Sequence, residues 1–166
     1  MNDAFYEQFV AKKQKPTDVL IRILIYFFIP AVLIFGTPFL GPFAFLLAVL
    51  LAFGAYYLIF PRLSVEYEYS ILNHDLDIAS IYSKEKRKHQ LSIDLQQAEI
   101  IAPKGSPRLR SYHPGKVRDF TSGNTDAGVY AIMIPTDDKI SCILVEPDAR
   151  MLDHMKSWTG MKLYQD

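Results

Sequence analysis

The four histidines are the first side chains to consider for chemistry, because histidine can act as an acid, a base or a metal ligand near neutral pH. His74, His89, His113 and His154 lie on different predicted elements, and no pair has the spacing of a metal-binding motif. His74 and Asp75 would suit a hydrolase triad, but no serine lies in a nucleophile-elbow pattern, and turn polarity explains both residues. The sequence therefore predicts no catalytic residues, no metal ligands and no cofactor, and the favoured interpretation is that the protein is not an enzyme.

The cysteine and the glycines also give no indication of catalysis or nucleotide binding. Cys142, the single cysteine, lies in the middle of a predicted strand, where a small core residue is favoured over a nucleophile. One cysteine excludes an intramolecular disulfide and fits a reducing compartment. The glycines have neither a dinucleotide-binding nor a P-loop spacing, so nucleotide binding has no support.

Two groups of basic residues are the remaining candidates for a contact surface. The first is a predicted turn with Lys84, Lys86, Arg87 and Lys88, and the second is a predicted loop region with Lys104, Arg108, Arg110, Lys116 and Arg118. Ordinary solvated loops explain either group. The alternative is contact with a partner or with anionic lipid headgroups, where each basic residue contributes about 1 kcal/mol. From Arg62 to Asp166 the 14 basic and 15 acidic residues balance, and this lack of a basic excess over the domain disfavours nucleic acid as the partner.

Two long apolar runs must be placed before these basic residues can be interpreted. As helices, residues 19–35 reach about 26 Å and residues 39–60 about 33 Å, which is enough to cross the hydrocarbon core of a bilayer. A tight reversal is predicted between the runs from Gly36, Thr37 and Pro38, followed by Gly41 and Pro42. Residues 17–61 are therefore predicted to form a transmembrane hairpin. The first run is not read as a cleaved signal peptide, because it lacks an A-x-A-like site and a second span follows at once.

The charges around the hairpin predict its orientation in the cell membrane. Lys12, Lys13, Lys15 and Arg22 precede or open the first run, Arg62 follows the second, and the connecting turn is uncharged. Because basic residues remain on the cytoplasmic side, both termini are predicted to be cytoplasmic. Arg22 is expected to extend back to the headgroups.

Helix contacts are predicted from small residues in the second run. Ala44, Ala48 and Ala52 recur every four residues, which allows close approach of another helix. Packing against the first helix is favoured over a homodimer contact, and the oligomeric state stays open.

Residues 1–16 are ambiguous between two states. A short amphipathic helix on the membrane surface, capped by Asp3, would place Phe5, Phe9 and Val10 toward one side. A flexible tail is the alternative.

Residues 62–166 have the alternation of a separate antiparallel domain. The pattern predicts strands over residues 65–71, 76–83 and 89–95, with a basic turn over residues 84–88 between the last two. Further strands are predicted at residues 98–102, 117–121, 129–134 and 140–145.

The chain is predicted to end with a helix opened by Pro147 and Asp148 and stopped at Gly160, with Met151, Leu152, Met155 and Trp158 facing the core. About seven strands and one closing helix predict a curved antiparallel sheet or open barrel. The expected fold class is a membrane protein of α+β type.

The order of these elements carries a resemblance. Two N-terminal spans, the strand region VEYEYSILNHDLDIASIYSKEKRKHQLSID and a final helix opened by Pro-Asp resemble small bacterial membrane proteins with a pleckstrin-homology-like (PH-like) domain. The likeness is greatest to an uncharacterised family of short proteins from Gram-positive bacteria. It covers nearly the whole chain and implies no active site.

Three functional hypotheses follow. The favoured one is a non-enzymatic, membrane-anchored interaction module that binds a protein partner, a peptide or lipid headgroups. The second is a structural or regulatory subunit of a larger membrane complex, in which the alanine stripe and Arg22 meet another protein. The third, a membrane-bound hydrolase, requires His, Asp and Ser side chains to converge in the folded domain.

Overall fold

The computed structural model describes residues 5–83, 86–136 and 139–165. In this part of the chain, strand β1 (Phe5–Ala11) precedes two apolar helices, α1 (Pro16–Leu40) and α2 (Phe43–Gly54). The remaining elements are β2 (Val65–Leu72), β3 (Asp75–Tyr82), β4 (Lys86–Asp94), β5 (Ile100–Pro103), β6 (Lys116–Asp119), β7 (Tyr130–Thr136), β8 (Lys139–Val145) and α3 (Ala149–Thr159). Two apolar helices, antiparallel sheets and a C-terminal helix confirm the predicted fold class.

Both helices of the hairpin are long and apolar enough to cross a membrane. The first begins at Pro16, whose missing N–H costs nothing in a first helical turn, and the Asp18 carboxylate accepts a hydrogen bond from the Lys15 N–H at 3.0 Å. The second continues beyond α2 through a π-helical turn (Ala55–Ile59) and a 3-10 turn (Phe60–Leu63). The two helices pack against each other as antiparallel neighbours.

The reversal between the helices lies later than predicted. Gly36, Thr37 and Pro38 belong to α1, and the chain turns at Gly41 and Pro42. Glycine and threonine are compatible with a helix, and a proline near the end of one removes a single hydrogen bond, so α1 continues through all three. Gly41 has a φ of 55°, a conformation that glycine adopts without steric cost.

The two interpretations of residues 1–16 are both wrong for residues 5–11, which form strand β1. This strand pairs antiparallel with β2, from Phe5 opposite Leu72 to Ala11 opposite Glu66. The helix-like grouping of apolar residues was misleading because Phe5 and Phe9 are exposed, whereas Val10 is buried in the core. Seven register pairs satisfy backbone groups along the edge of β2, which favours the strand over a helix. Asp3 lies outside the described residues.

The strands form two sheets that do not close into a barrel. The first has the order β1-β2-β3-β4 and the second β5-β7-β8-β6. The predicted strands from β2 to β8 are confirmed, but β6 runs parallel to β8, whereas an all-antiparallel sheet was expected. The parallel pair arises because β7 separates β6 from β8 in the chain. Buried side chains from both sheets, including Tyr69, Ile78, Ile132 and Ile143, make one core.

Helix α3 covers this core, although one of its predicted contacts is wrong. Asp148 caps the helix by accepting from the Met151 N–H at 2.8 Å, and Met151 and Met155 are fully buried. Trp158 is 37% exposed and lies against the His74 ring instead of facing the core. Thr159, four residues after Met155, occupies the buried position because it follows the helical period more closely.

The predicted basic turn is also displaced. Lys86, Arg87 and Lys88 are the first residues of β4, paired with the end of β3, and Lys84 lies outside the described residues. Charged residues are common on exposed edge strands because they discourage pairing with other chains.

Candidate functional site

Cations from three stretches of the chain meet at the end of the hairpin from which the sheets extend. Lys12, Lys13 and Lys15 connect β1 to α1 and share a small pocket with Arg62. Arg62 also lines a larger pocket of about 490 Å³ with Lys86, Arg87 and Lys88. We call these seven residues the hairpin-base surface. Sequence reasoning found the β4 cations as a contact surface; it used the other four as markers of orientation and expected the lysines before the hairpin to lie near anionic headgroups, without joining them to the β4 cations.

One cation of the hairpin-base surface is committed to an ion pair. Arg87 donates to the carboxylate of Glu68, which is buried, and the pair compensates the burial of that charge. Within the described residues, Arg62, Lys86 and Lys88 have no ion-pair partner. Their charges are therefore available to an external anion.

Arg22 joins the two ends of the hairpin. Its guanidinium donates to the Ser64 hydroxyl at 2.7 Å, although the two residues are separated by both helices. Ser64 directly precedes β2, so the bond connects α1 to the start of the sheet. An arginine inside an apolar helix therefore has a polar partner within the chain.

The second predicted basic group is divided between two places. Lys104, Arg108 and Arg110 lie around a 3-10 turn (Pro107–Leu109), with the Arg108 guanidinium 4.0 Å from the centre of the Tyr164 ring. Lys116 and Arg118 lie on β6 and line a separate cleft. The two halves of the group do not form one surface around a common cavity.

That cleft has a volume of about 570 Å³ and separates the edges of the two sheets. Its sides are β4, through Ser92 and Asp94, and β6, through Lys116 and Arg118, with Lys139 from β8 beside them. Asp94 is at the opposite end of β4 from Lys86, about 26 Å along a strand of nine residues. We call this space the distal cleft.

Among the described residues that line the distal cleft, three are basic and one is acidic. The Asp94 carboxylate already accepts from the Gln96 N–H at 2.9 Å and contacts the His74 ring at 3.1 Å. Lys116, Arg118 and Lys139 have no ion-pair partner among the described residues. The cleft is thus suited to an anionic ligand, and Lys139 was missed by sequence reasoning because it follows a turn between strands.

The predicted alanine stripe has two different surroundings. Ala44 and Ala48 are buried, with Gly36 of α1 close to Ala44, whereas Ala52 is exposed. Ala52 borders an apolar groove of about 500 Å³ between the helices, which also contacts Pro30 and Tyr57. The stripe therefore contributes both to helix packing within the chain and to an open groove.

A cluster of metal-ligand residue types was not predicted, because His74 and Asp94 approach through strand pairing. The ligand atoms of His74, Asp75 and Asp94 lie within 4.8 Å of one another. The His74 Nδ1 contacts the Asp75 and Asp94 carboxylates at 3.3 and 3.1 Å, and its ring packs on Trp158. In the described part of the chain, no hydrogen bond joins a serine hydroxyl to a histidine ring, so the triad chemistry lacks its nucleophile contact. The cluster is explained by the β2–β3 turn and the cap at Asp94.

The other polar network ties β1 to the second sheet and to α3. The Gln8 amide donates to the Glu146 carbonyl at 2.7 Å and accepts from the Asp148 N–H at 2.9 Å. Tyr6 donates to the Asp148 carboxylate, and this bond raises the pKa of the Tyr6 hydroxyl. These contacts explain why a polar side chain at position 8 faces inward.

The sheets also contain two buried groups whose pKa values are raised, the Tyr69 hydroxyl and the Cys142 thiol. Burial raises the pKa of the Tyr69 hydroxyl, which donates to the Phe120 carbonyl at 2.6 Å. Burial also raises the pKa of the Cys142 thiol, so the thiolate form is disfavoured. Neither environment activates a nucleophile or a base near neutral pH.

An open pair of four-stranded sheets covered by a C-terminal helix, attached to an apolar hairpin, defines the class of PH-like domains with candidate transmembrane helices. The chain belongs to the family described as "Bacterial PH-like domain (DUF6106)", whose model matches residues 2–165. Comparisons with curated proteins and with solved structures find no match. The match includes both β1 and the hairpin, so these parts belong to the family pattern together with the sheets.

Proposed function

We propose that the protein is a non-enzymatic, membrane-anchored interaction module, with its hairpin in the cell membrane and its PH-like domain in the cytoplasm. The observation that carries the proposal is the pairing of β1 with β2. These strands flank the hairpin, so both ends of the hairpin must lie on the same side of any membrane that it crosses. The basic flanks and the uncharged turn favour the cytoplasm as that side.

The anchor and the domain are connected at several points. Besides β1–β2 pairing, the Arg22–Ser64 hydrogen bond lies at the junction, and the Lys12 N–H donates to the Val65 carbonyl at 3.0 Å. The domain is therefore held at the membrane by two chain connections and by direct hydrogen bonds. This arrangement presents the distal cleft at the end of β4 away from the hairpin.

The ligand that best fits the distal cleft is an extended acidic segment of a partner protein. Strands β4 and β6 each pair with one neighbour, which leaves backbone groups on their other edges available for strand addition. The edge of β5, in contrast, is covered, because the Tyr164 N–H donates to the Ile101 carbonyl at 2.8 Å. Acidic side chains on the added strand would pair with Lys116, Arg118 and Lys139.

A selection experiment tests this function. A displayed library of random peptides is selected against the full chain in nanodiscs, and we expect enrichment of alternating acidic and β-branched residues. The double substitution Lys116→Gln/Arg118→Gln should weaken the selected peptides about five- to twentyfold, whereas Arg150→Gln/Lys156→Gln on exposed positions of α3 should leave binding unchanged.

Strand addition has a separate signature in the peptide backbone. N-methylation at alternate residues of a selected peptide should abolish binding in one phase of the alternation and preserve it in the other. Selected peptides that bind equally well in both phases, or that lack acidic residues, would contradict the proposed ligand.

A further inference from the structure

The apolar groove of the hairpin continues into a basic pocket. The groove extends along α1 and the second helix from Ala52 to Phe60, and the pocket with Arg62, Lys86 and Lys88 overlaps this stretch of the second helix at Tyr57 and Leu58. The Tyr57 side chain lines both spaces. An amphiphilic ligand lying along the hairpin would therefore find apolar walls and cations in direct succession.

Local backbone structure explains the groove. The second helix widens to a π-helical turn at Ala55–Ile59, next to the small side chain of Ala52. On the opposite side, Pro30 interrupts the hydrogen bonds of α1 and adds little volume. Single π-helical turns within helices often occur at functional sites.

The composition of the two spaces indicates a single kind of occupant. The groove offers apolar and aromatic contacts, whereas Arg62, Lys86 and Lys88 lack ion-pair partners within the described residues. A transmembrane helix from another protein would fill the groove but leave these cations unpaired. A free phosphate ion would pair with the cations but leave the groove empty.

We infer that the groove and the basic pocket form a binding site for one anionic phospholipid. An acyl chain lies between Ala52 and Phe60, and the phosphate contacts Arg62, Lys86 and Lys88 near Tyr57. The site rests on the proposed insertion of the hairpin into a membrane, since only then do lipids surround the groove. It deepens the proposed function by giving the hairpin-base surface a defined ligand.

Native mass spectrometry of the full chain in neutral detergent tests the site. The probes are dioleoyl phosphatidylglycerol and dioleoyl phosphatidylcholine, which share their acyl chains and differ in net charge. We expect retention of one phosphatidylglycerol molecule in preference to phosphatidylcholine. Lys86→Gln/Lys88→Gln should lower phosphatidylglycerol affinity about 25-fold, since each basic residue contributes about fivefold, and should leave phosphatidylcholine unaffected.

Matched controls separate the headgroup from the acyl chain. Arg150→Gln/Lys156→Gln removes the same charge from α3 and should leave lipid retention unchanged. Ala52→Trp fills the groove and should reduce retention of both lipids, whereas Leu46→Trp, on an exposed position of α2 away from the groove, should not.

Contradictory results are equally well defined. Equal retention of the two lipids, displacement of phosphatidylglycerol by glycerol 3-phosphate, or indifference to Ala52→Trp would overturn the site. A chain that is extracted from membranes without detergent would instead overturn the proposed anchoring. If the chain requires detergent but shows no lipid preference, the anchor is retained and only the lipid site is wrong.

Discussion

Individual side chains connect parts of this protein that lie far apart in the chain, and Tyr69 is one of them. Its hydroxyl donates to the Phe120 carbonyl and accepts from the Glu146 N–H at 3.3 Å. The ring is fully buried between the sheets. The Tyr69 hydroxyl thereby satisfies two backbone groups, one just after β6 and one just after β8.

Tyr69→Phe should destabilise the protein by about 1 to 3 kcal/mol, because a buried carbonyl loses its donor while the ring is retained. Denaturant unfolding of the full chain in detergent, followed through domain fluorescence, measures the change. Tyr112→Phe is the control, since no hydrogen bond of its hydroxyl is present among the described residues, and it should stay within about 0.5 kcal/mol of the parent. Equal effects of the two substitutions would contradict the assigned role.

Alkaline pH should act on the same hydroxyl. Because the folded state raises the pKa of Tyr69, its contribution to stability is complete below the unfolded pKa of about 10 and is lost as the pH rises above that value. Unfolding free energies measured from pH 8 to pH 11 should fall less steeply for Tyr69→Phe than for the parent. Identical slopes would show that the hydroxyl does not titrate with folding.

At the residue scale, the features that were predicted correctly from the sequence depend on residues close together in the chain. The caps at Asp148 and Gly160, and the buried methionines of α3, follow from spacing within a few residues. The approach of His74 to Asp94, and that of Arg62 to the β4 cations, depends on the pairing of segments that are distant in the chain. Local patterns contain no information on which of several basic residues will meet, so the candidate surfaces were found only in part.

At the scale of elements, α3 behaves as a core element whose buried face holds Met151 and Met155 as predicted, with Thr159 in place of Trp158. Met155→Ala should destabilise the domain by about 2 to 5 kcal/mol through the cavity that it leaves. Trp158→Ala should cost less than about 2 kcal/mol, because a third of the side chain is already exposed. Denaturant midpoints decide the order, and a larger effect at Trp158 would contradict the observed packing.

Strand β1 is the element that sequence reasoning did not find. Its inward positions include Gln8 beside Tyr6 and Val10, and its outward positions include Phe5 and Phe9, so the usual alternation of a half-buried strand is obscured. Strand β2 was predictable because Tyr67, Tyr69 and Ile71 alternate with polar residues. The polar contacts that make Gln8 suitable come from the loop after β8, more than a hundred residues away.

Removing β1 should therefore weaken the domain. A fragment of residues 62–166 lacks the edge strand, whereas residues 5–13 joined by a flexible linker to residues 64–166 restore it without the hairpin. We expect the linked chain to be more stable by at least about 2 kcal/mol, since Val10 regains its burial. Chemical denaturation of both soluble proteins measures the difference, and equal stability would show that β1 is dispensable.

At the scale of the whole molecule, the two halves of the chain depend on each other. The hairpin separates β1 from β2 in the chain, so β1 can pair with β2 only when the two ends of the hairpin come together. The resulting geometry places basic residues at the hairpin base and leaves the distal cleft about one strand length away. We propose that the protein uses the first surface toward lipid and the second toward a partner.

Cysteine labelling in intact cells tests the central claim most directly. In a Cys142→Ser background, Gln14→Cys, Phe43→Cys and Thr125→Cys place one thiol before the hairpin, at its turn and in the domain. A membrane-impermeant maleimide should label Phe43→Cys in intact cells and should label Gln14→Cys and Thr125→Cys only after permeabilisation. Labelling of Thr125→Cys from outside, or of Gln14→Cys and Thr125→Cys from opposite sides, would contradict a cytoplasmic domain anchored by a hairpin.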